Sequence, residues 1–144
     1  MDEVVRRAMA KWPGVPAVFG WLALDARGRW QIRGEPVANA LLNDFIGRNY
    51  AADQHGRWYF QNGPQRVFVS LAYAPWVLRM DAAGRLDTHT GQRVPHVRAA
   101  WIDETGIVVL DTALGPGAAD DRDLETLSTR IVDAAGAALH EDAV

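Results

Sequence analysis

Asp25-Ala26-Arg27-Gly28-Arg29-Trp30-Gln31-Ile32-Arg33 decides how the rest of the chain is read. Asp bonds neighbouring backbone amides and Gly takes the left-handed conformation that closes a short hairpin, so residues 25–28 break the chain. Trp30 and Ile32 then alternate with Arg29, Gln31 and Arg33, the pattern of a half-buried strand. The signal returns at Asp53-Gln54-His55-Gly56, Asp81-Ala82-Ala83-Gly84 and Asp103-Glu104-Thr105-Gly106. The first three copies continue into Arg and an apolar residue: Arg29-Trp30, Arg57-Trp58 and Arg85-Leu86. Spacings of 28, 28 and 22 residues from one Asp to the next point to a repeated supersecondary unit. The alternation sends Arg outward and its apolar neighbour inward, so these turns define a sheet rather than a site.

The neighbouring segments follow from that frame. Ala17 to Asp25 is apolar on both sides, with Val18, Leu22 and Leu24 facing one way and Phe19, Trp21 and Ala23 the other. Such a strand is central, or it is covered by a helix or by a second copy of the chain. Further strands are expected at Arg57–Gln61, Arg66–Tyr73, Trp76–Met80, Arg85–Thr90, Val94–Ile102 and Ile107–Thr112. Asn62-Gly63-Pro64 reads as a turn, and Pro75 as a bulge, an edge or a strand end.

Three helices are expected. Asp2 caps the first, which runs to Trp12 with Val4, Val5, Ala8, Met9 and Trp12 on one face. Asn39 caps the second, from Ala40 to about Asn49, with Leu41, Leu42, Phe45 and Ile46 as its stripe. A loop around Gly115-Pro116-Gly117 leads to an acidic C-terminal helix over about 121–139, capped by Asp121 or Asp123. The expected fold is α+β, an antiparallel meander of about eight strands with an N-terminal, a middle and a C-terminal helix.

At 144 residues the chain has the usual size of one domain, so a single domain over 1–144 is expected. It has no cysteine, which excludes disulfides, thiolate metal sites and Cys nucleophiles. Its N-terminus lacks the basic and apolar stretches of a signal peptide, and no apolar run is long enough to span a bilayer. A cytoplasmic protein without membrane contact is the simplest expectation. Residues 1–102 carry 13 basic and 8 acidic side chains (net +5), and residues 103–144 carry 2 and 10 (net −8). The body's charge is modest beside a nucleic-acid footprint, and Arg-bearing strands make nucleic-acid binding only the third reading.

The stretch Gly28–Met80 resembles a bacterial family of small proteins known as a domain of unknown function. The elements that carry the likeness are Gly28-Arg29-Trp30, Gly34-Glu35-Pro36, the helix at Leu41–Ile46, Gly56-Arg57-Trp58-Tyr59, Gly63-Pro64-Gln65-Arg66-Val67 and Ala74-Pro75. Gln65-Arg66 stands where that family has an acidic-basic pair, and Ala72-Tyr73 where it has two acids. The resemblance implies a shared α+β scaffold and no particular activity.

No motif of a phosphate loop, zinc protease, serine hydrolase or dinucleotide fold is present. Catalytic residues, metal ligands and cofactors are therefore not expected. The ligand-binding candidates are Arg33, Glu35, Gln61, Arg66, Asp87 and His89. Asp87 and His89 share a strand face, the orienting half of a general base or a polar edge strand. Arg33 and Glu35, with Gln61 or Arg66, frame a pocket between the Asn39 helix and the sheet. The leading reading is a non-catalytic binding or interaction module of open ligand, with a homodimer as one way to cover the Ala17–Leu24 strand. A small-molecule-binding domain or enzyme is the alternative.

Overall fold

In the computed structural model, which describes residues 1–127, each Asp-x-x-Gly signal forms the first turn of a three-stranded antiparallel meander. The meanders are β1 (Val18–Leu24), β2 (Trp30–Ile32) and β3 (Glu35–Pro36); then β4 (Tyr50–Ala52), β5 (Trp58–Asn62) and β6 (Gln65–Leu71). They continue with β7 (Trp76–Met80), β8 (Leu86–Thr88) and β9 (Arg93–Val94), and end with β10 (Val97–Ile102), β11 (Val108–Thr112) and β12 (Gly115–Ala119). In each pair of meanders the first strand lies parallel to the last, β1 beside β6 and β7 beside β12. Two mixed six-stranded sheets result, β3-β2-β1-β6-β5-β4 and β9-β8-β7-β12-β11-β10, with the same strand order.

The α+β class is as expected, but the eight-stranded antiparallel meander is corrected to twelve strands in two mixed sheets. The strands missing from the sequence reading are short. β3 has two residues and β4 three, too few for an alternation to register, and Pro95 divides the expected Val94–Ile102 strand into β9 and β10. β12 was expected as a loop because it begins Gly115-Pro116-Gly117.

Turn chemistry is shared by the four copies. The Asp Oδ1 accepts the backbone N–H four residues on, from Arg29, Arg57, Arg85 and Ile107, at 2.8, 2.8, 2.9 and 2.9 Å. In the first three the Arg Nε returns to Asp Oδ2 at 2.7, 2.8 and 3.1 Å. Exposed ion pairs of this kind add little stability, so the clamp chiefly fixes the turn. In the fourth, Tyr73 replaces the arginine, its hydroxyl donating to Asp103 Oδ2 at 2.6 Å.

The chain divides into two compact units, Met1–Asp25 with Arg29–Ala72, and Ala26–Gly28 with the chain from Tyr73. In the first unit the strand register puts Leu22, Leu24, Trp30, Phe60 and Val67 on one face, each at most 3% exposed. Burying such a side chain contributes roughly 1.5–3 kcal/mol. Trp30 and Tyr50, from strands four places apart in the sheet, meet edge to face at 5.0 Å, so the sheet curls toward this face. Helix α2 (Ala40–Arg48) closes it: Ile46 is buried and Phe45 sits edge-on to Phe60 at 5.6 Å. Asn39 caps α2 as expected, accepting the Leu42 N–H at 3.1 Å. The expected stripe is only half used, since Leu41 and Leu42 remain exposed.

Helix α1 (Glu3–Lys11) buries Val5 and leaves Val4 exposed. Asp2 does not cap it by its side chain. Its carboxylate instead meets Arg48 Nε and Asn49 Nδ2, both at 3.3 Å, and its N–H donates to Asn49 Oδ1 at 2.8 Å. The start of α1 is thereby tied to the end of α2. Met9 and Ala10 of α1 line a hollow with Ala51 and Tyr59, on the sheet face opposite Phe60.

The second unit is centred on Leu78, Val108 and Leu110, each at most 3% exposed. β12 reaches β7 closely because Gly117 lacks a Cβ, which would lie 2.7 Å from Leu78 Cδ1. After β12 the buried Asp120 caps a 3-10 turn, Asp121–Asp123, and holds the Arg122 guanidinium at 2.9 and 2.6 Å. Asp121 and Asp123, the caps expected for the C-terminal helix, lie inside this 3-10 turn, and residues 124–127 after it are helical. The Arg122 hydrogen bond, working against burial, holds the Asp120 carboxyl down at about 2. Past Leu127 the expected helix over about 121–139 lies outside the described residues.

Candidate ligand-binding site

The β5–β6 hairpin turns on two residues, Gly63 and Pro64. Gly63 has φ +56° and Pro fixes the next φ near −65°, the combination of a type II′ hairpin turn. The hairpin sets Gln61 opposite Arg66, so both project from one face, the face of Tyr59 and Phe68. There they meet the end of α1. Trp12 is its C-terminal cap, and Pro13-Gly14 turns the chain back through Val15 and Ala17 into β1. Met9, Trp12, Pro13, Val15, Ala17 and Pro64 join Gln61 and Arg66 around a cavity of about 330 Å³. That is within the size range of small-molecule sites.

Two side chains supply its polarity. Gln61 is 2% exposed. Its Nε2 donates to the Gly63 carbonyl at 3.1 Å, while Oε1 is buried with no hydrogen-bond partner among the described residues. Turning the amide over would set two oxygens against each other, so Oε1 is held as the open acceptor. The Arg66 guanidinium lies 4.0 Å from the centre of the Tyr59 ring, a cation–π contact, and has no carboxylate partner among the described residues. A second, more open hollow on the far side of Arg66 is lined by Asp53, His55, Arg57 and Tyr59. The cation there is committed: Arg57 is clamped by Asp53 and lies 4.8 Å over the Phe68 ring. Burial pushes the Asp53 carboxyl up, but the Arg57 and His55 bonds outweigh it and hold it below the usual range.

The structure therefore brings Gln61 and Arg66 together and leaves the other candidates elsewhere. Arg33 sits at φ +52° in the β2–β3 turn followed by Gly34 at +80°, and Glu35 is exposed on edge strand β3. Neither lines the cavity, nor does any residue of α2. In the second unit, Asp87 Oδ1 accepts from Arg93 Nε at 2.6 Å and has no bond to His89. His89 Nδ1 accepts the Val77 N–H at 3.1 Å, so the neutral ring carries its proton on Nε2. Burial lowers the His89 pKa to about 4. Among the described residues no cluster of three or more His, Asp or Glu has metal-holding geometry.

The sequence places Met9 and Trp12 on the apolar face of the first helix and does not reveal their place at the cavity. The available signal was Trp12 followed by Pro13-Gly14, which ends a helix on a large apolar side chain. Trp30 is buried as expected, and the faces of Tyr59 and Phe68 carry arginines of this chain.

Fold and cavity together define an α+β protein of two like-ordered mixed sheets, with a cavity of small-molecule size in the first whose one charged residue among the described ones is Arg66. The family model DUF2944, described as “Protein of unknown function (DUF2946)”, matches residues 1–143, and the chain belongs to that family. Its fold is similar to the crystal structure of a DUF1285 family protein from Silicibacter pomeroyi DSS-3, with TM-score 0.60 and 15% identity over 90% of this chain and 84% of that one. A DUF1285 family protein from Shewanella baltica OS155 is also similar, with TM-score 0.57 and 14% identity over 75% of this chain and 90% of that one. No curated protein matches the chain. Among the described residues no helix is long and apolar enough to cross a membrane.

Proposed function

We propose that the protein is a non-catalytic binding module whose ligand occupies the cavity between the end of α1 and the β5–β6 hairpin. The observation that carries this reading is a cavity of small-molecule size lined by Arg66, which has no carboxylate partner among the described residues. An unpaired guanidinium beside apolar walls is the kind of convergent polar group that fixes a ligand in a pocket. The lining supports binding rather than turnover. Among the described residues its lining holds no Ser, Thr, His, Lys, Asp or Glu, so none of them sets a nucleophile or general base against the space.

A thermal-shift screen against metabolites tests the proposal, since a ligand at a hundred times its Kd stabilises the native state by about 2.7 kcal/mol. The expected hits raise the melting temperature of wild type and lose most of that effect in Arg66→Gln. Hits that act equally on both proteins would place the ligand elsewhere.

Self-association is the second reading, favoured by Phe19. Its ring stacks on Phe68 at 4.8 Å yet is 65% exposed, so the outer face of β1 remains apolar and open among the described residues. Light scattering that finds a dimer in wild type and a monomer in Phe19→Ser supports it. A strict monomer across micromolar concentrations removes it.

A further inference from the structure

We infer that the hollow beside the second Asp-x-x-Gly turn, lined by Arg57, Arg66 and His55, binds the phosphate group of a small phosphomonoester. This site is separate from the cavity between α1 and the β5–β6 hairpin, although Arg66 borders both.

The hollow measures about 470 Å³, within the small-molecule range. Each of its two arginines lies over an aromatic ring. Arg66 is 4.0 Å from the centre of Tyr59, and Arg57 is 4.8 Å from that of Phe68. The two rings are register partners on β5 and β6, with centres 6.0 Å apart. The sheet therefore holds both guanidiniums in place before a ligand arrives, which lowers the ordering cost of binding.

Asp53 anchors this charge from below the surface. Its carboxylate is 4% exposed, with Oδ1 accepting the His55 and Arg57 backbone N–H groups and Oδ2 accepting Arg57 Nε. Among the described residues the Arg57 guanidinium is bonded through Nε alone, and the side chain stays 55% exposed, so its terminal N–H groups remain open to a ligand. A carboxylate fills one guanidinium fork with its two oxygens. A phosphomonoester presents three terminal oxygens and can bond both arginines at once, which selects it here. His55 adds a ring N–H to the same lining.

The second unit repeats this hairpin without these groups. Residues 103–118 match 53–68 in turn and register, with Thr112 opposite Gly115 as Asn62 is opposite Gln65. There Ile107 stands for Arg57, Val109 for Tyr59, Pro116 for Arg66 and Ala118 for Phe68. The scaffold closes without either arginine or either ring, so the hairpin itself does not require them.

The test uses the full chain at constant ionic strength, read by amide chemical shifts and titration calorimetry. The probes are glycerol 2-phosphate, acetate and a single-stranded oligothymidylate. Glycerol 2-phosphate is expected to shift the amides of His55, Arg57 and Arg66 and to leave those of Thr105 and Ile107 unmoved. Acetate should bind at least about tenfold more weakly, and Arg57→Gln and Arg66→Gln should each weaken glycerol 2-phosphate about tenfold. Arg57→Gln is expected to fold, because the fourth turn closes with Ile107 in that place. Arg57 does not line the other cavity, so Arg57→Gln should leave a ligand of that cavity bound as in wild type, which separates the two sites. If acetate matches glycerol 2-phosphate, or if neither variant weakens it, the phosphate site is overturned. If the oligothymidylate shifts these amides and glycerol 2-phosphate does not, the ligand is a nucleic-acid backbone and the inference fails. The absence of any shift at millimolar glycerol 2-phosphate also overturns it.

Discussion

A Cβ added at Gly28 would lie 2.6 Å from the Cβ of His89 and 3.3 Å from that of Val77. The tip of the first Asp-x-x-Gly turn is thus pressed onto β7 and the residue that follows β8. Gly56 holds the same place in the second turn with nearly the same φ, +77° against +78°, but nothing lies within 4 Å of its missing Cβ. Both glycines relieve the left-handed strain, and only Gly28 also relieves a clash. Gly56→Ala is therefore expected to cost about 1–2 kcal/mol, the left-handed term alone. Gly28→Ala should cost about 2–5 kcal/mol, because overpacking adds to it. Urea unfolding of the two variants checks the difference. Equal losses would mean that the close approach of Gly28 and His89 is not a feature of the native state.

His89 gives the second prediction. Its ring packs beside Trp76 at 5.8 Å, and burial lowers its pKa from 6.5 to about 4. Between those values the unfolded chain holds a proton that the folded protein does not. Stability is therefore complete above about pH 6.5 and falls as the pH drops toward 4. The loss attributable to this group is roughly 3 kcal/mol over the window. Unfolding free energies measured from pH 7.5 to 4.5 should show that slope in wild type and a flatter one in His89→Gln. An equal slope in both would assign the pH dependence to other groups.

What the sequence made legible was the repeated turn, because an Asp that collects amides and a Gly at positive φ leave a local signature. The pairings that joined the meanders had none. β1 beside β6 and β7 beside β12 are set by pairings 47–49 and 41 residues apart, and β12 is admitted to its place by the absent side chain of Gly117. Gly-Pro-Gly reads as a loop for the same reason that it works here as a strand: nothing projects from it. The candidate site was legible in part. Gln61 and Arg66 flank a recognisable hairpin turn, so their adjacency follows from Gly63-Pro64. That the end of α1, rather than α2, faces them depends on Asn49 fastening Asp2, a contact between residues 47 apart.

Gln61 gives a prediction for the empty protein. Replacing it by Leu removes the bond to the Gly63 carbonyl, worth about 0.5–1.5 kcal/mol, and also removes an acceptor whose open burial costs about 1–3 kcal/mol. The two effects oppose, so Gln61→Leu should be as stable as wild type to within about 1 kcal/mol, or more stable. By contrast Phe60→Ala, in the neighbouring position on the core face, should lose about 3–5 kcal/mol. If Gln61→Leu loses more than about 2 kcal/mol, the amide is a net contributor to the fold and its oxygen is not left open in the native state.

The fourth turn departs from the other three, and the departure can be titrated. Asp103 has no arginine four residues on, and Tyr73 takes that role from outside the turn. The Tyr73 hydrogen bond is the largest influence on the Asp103 carboxyl, which is held down at about 2 against a usual 3.8. The same contact pushes the Tyr73 hydroxyl upward. A carboxyl lowered in the folded state stabilises the protein above its unfolded pKa, and that contribution is lost as the pH falls from about 4 to about 2. In Tyr73→Phe the Thr105 and Ile107 bonds remain, so the Asp103 pKa should rise from about 2 toward 3.8 without reaching it. Carbon-detected titration of the carboxyl reads this directly, and the midpoint of acid unfolding should move to higher pH. Asp120, held by Arg122, should keep its low pKa in the same experiment. An Asp103 pKa that does not move in Tyr73→Phe would show that the backbone amides of the turn suffice, as a clamp without a fourth partner.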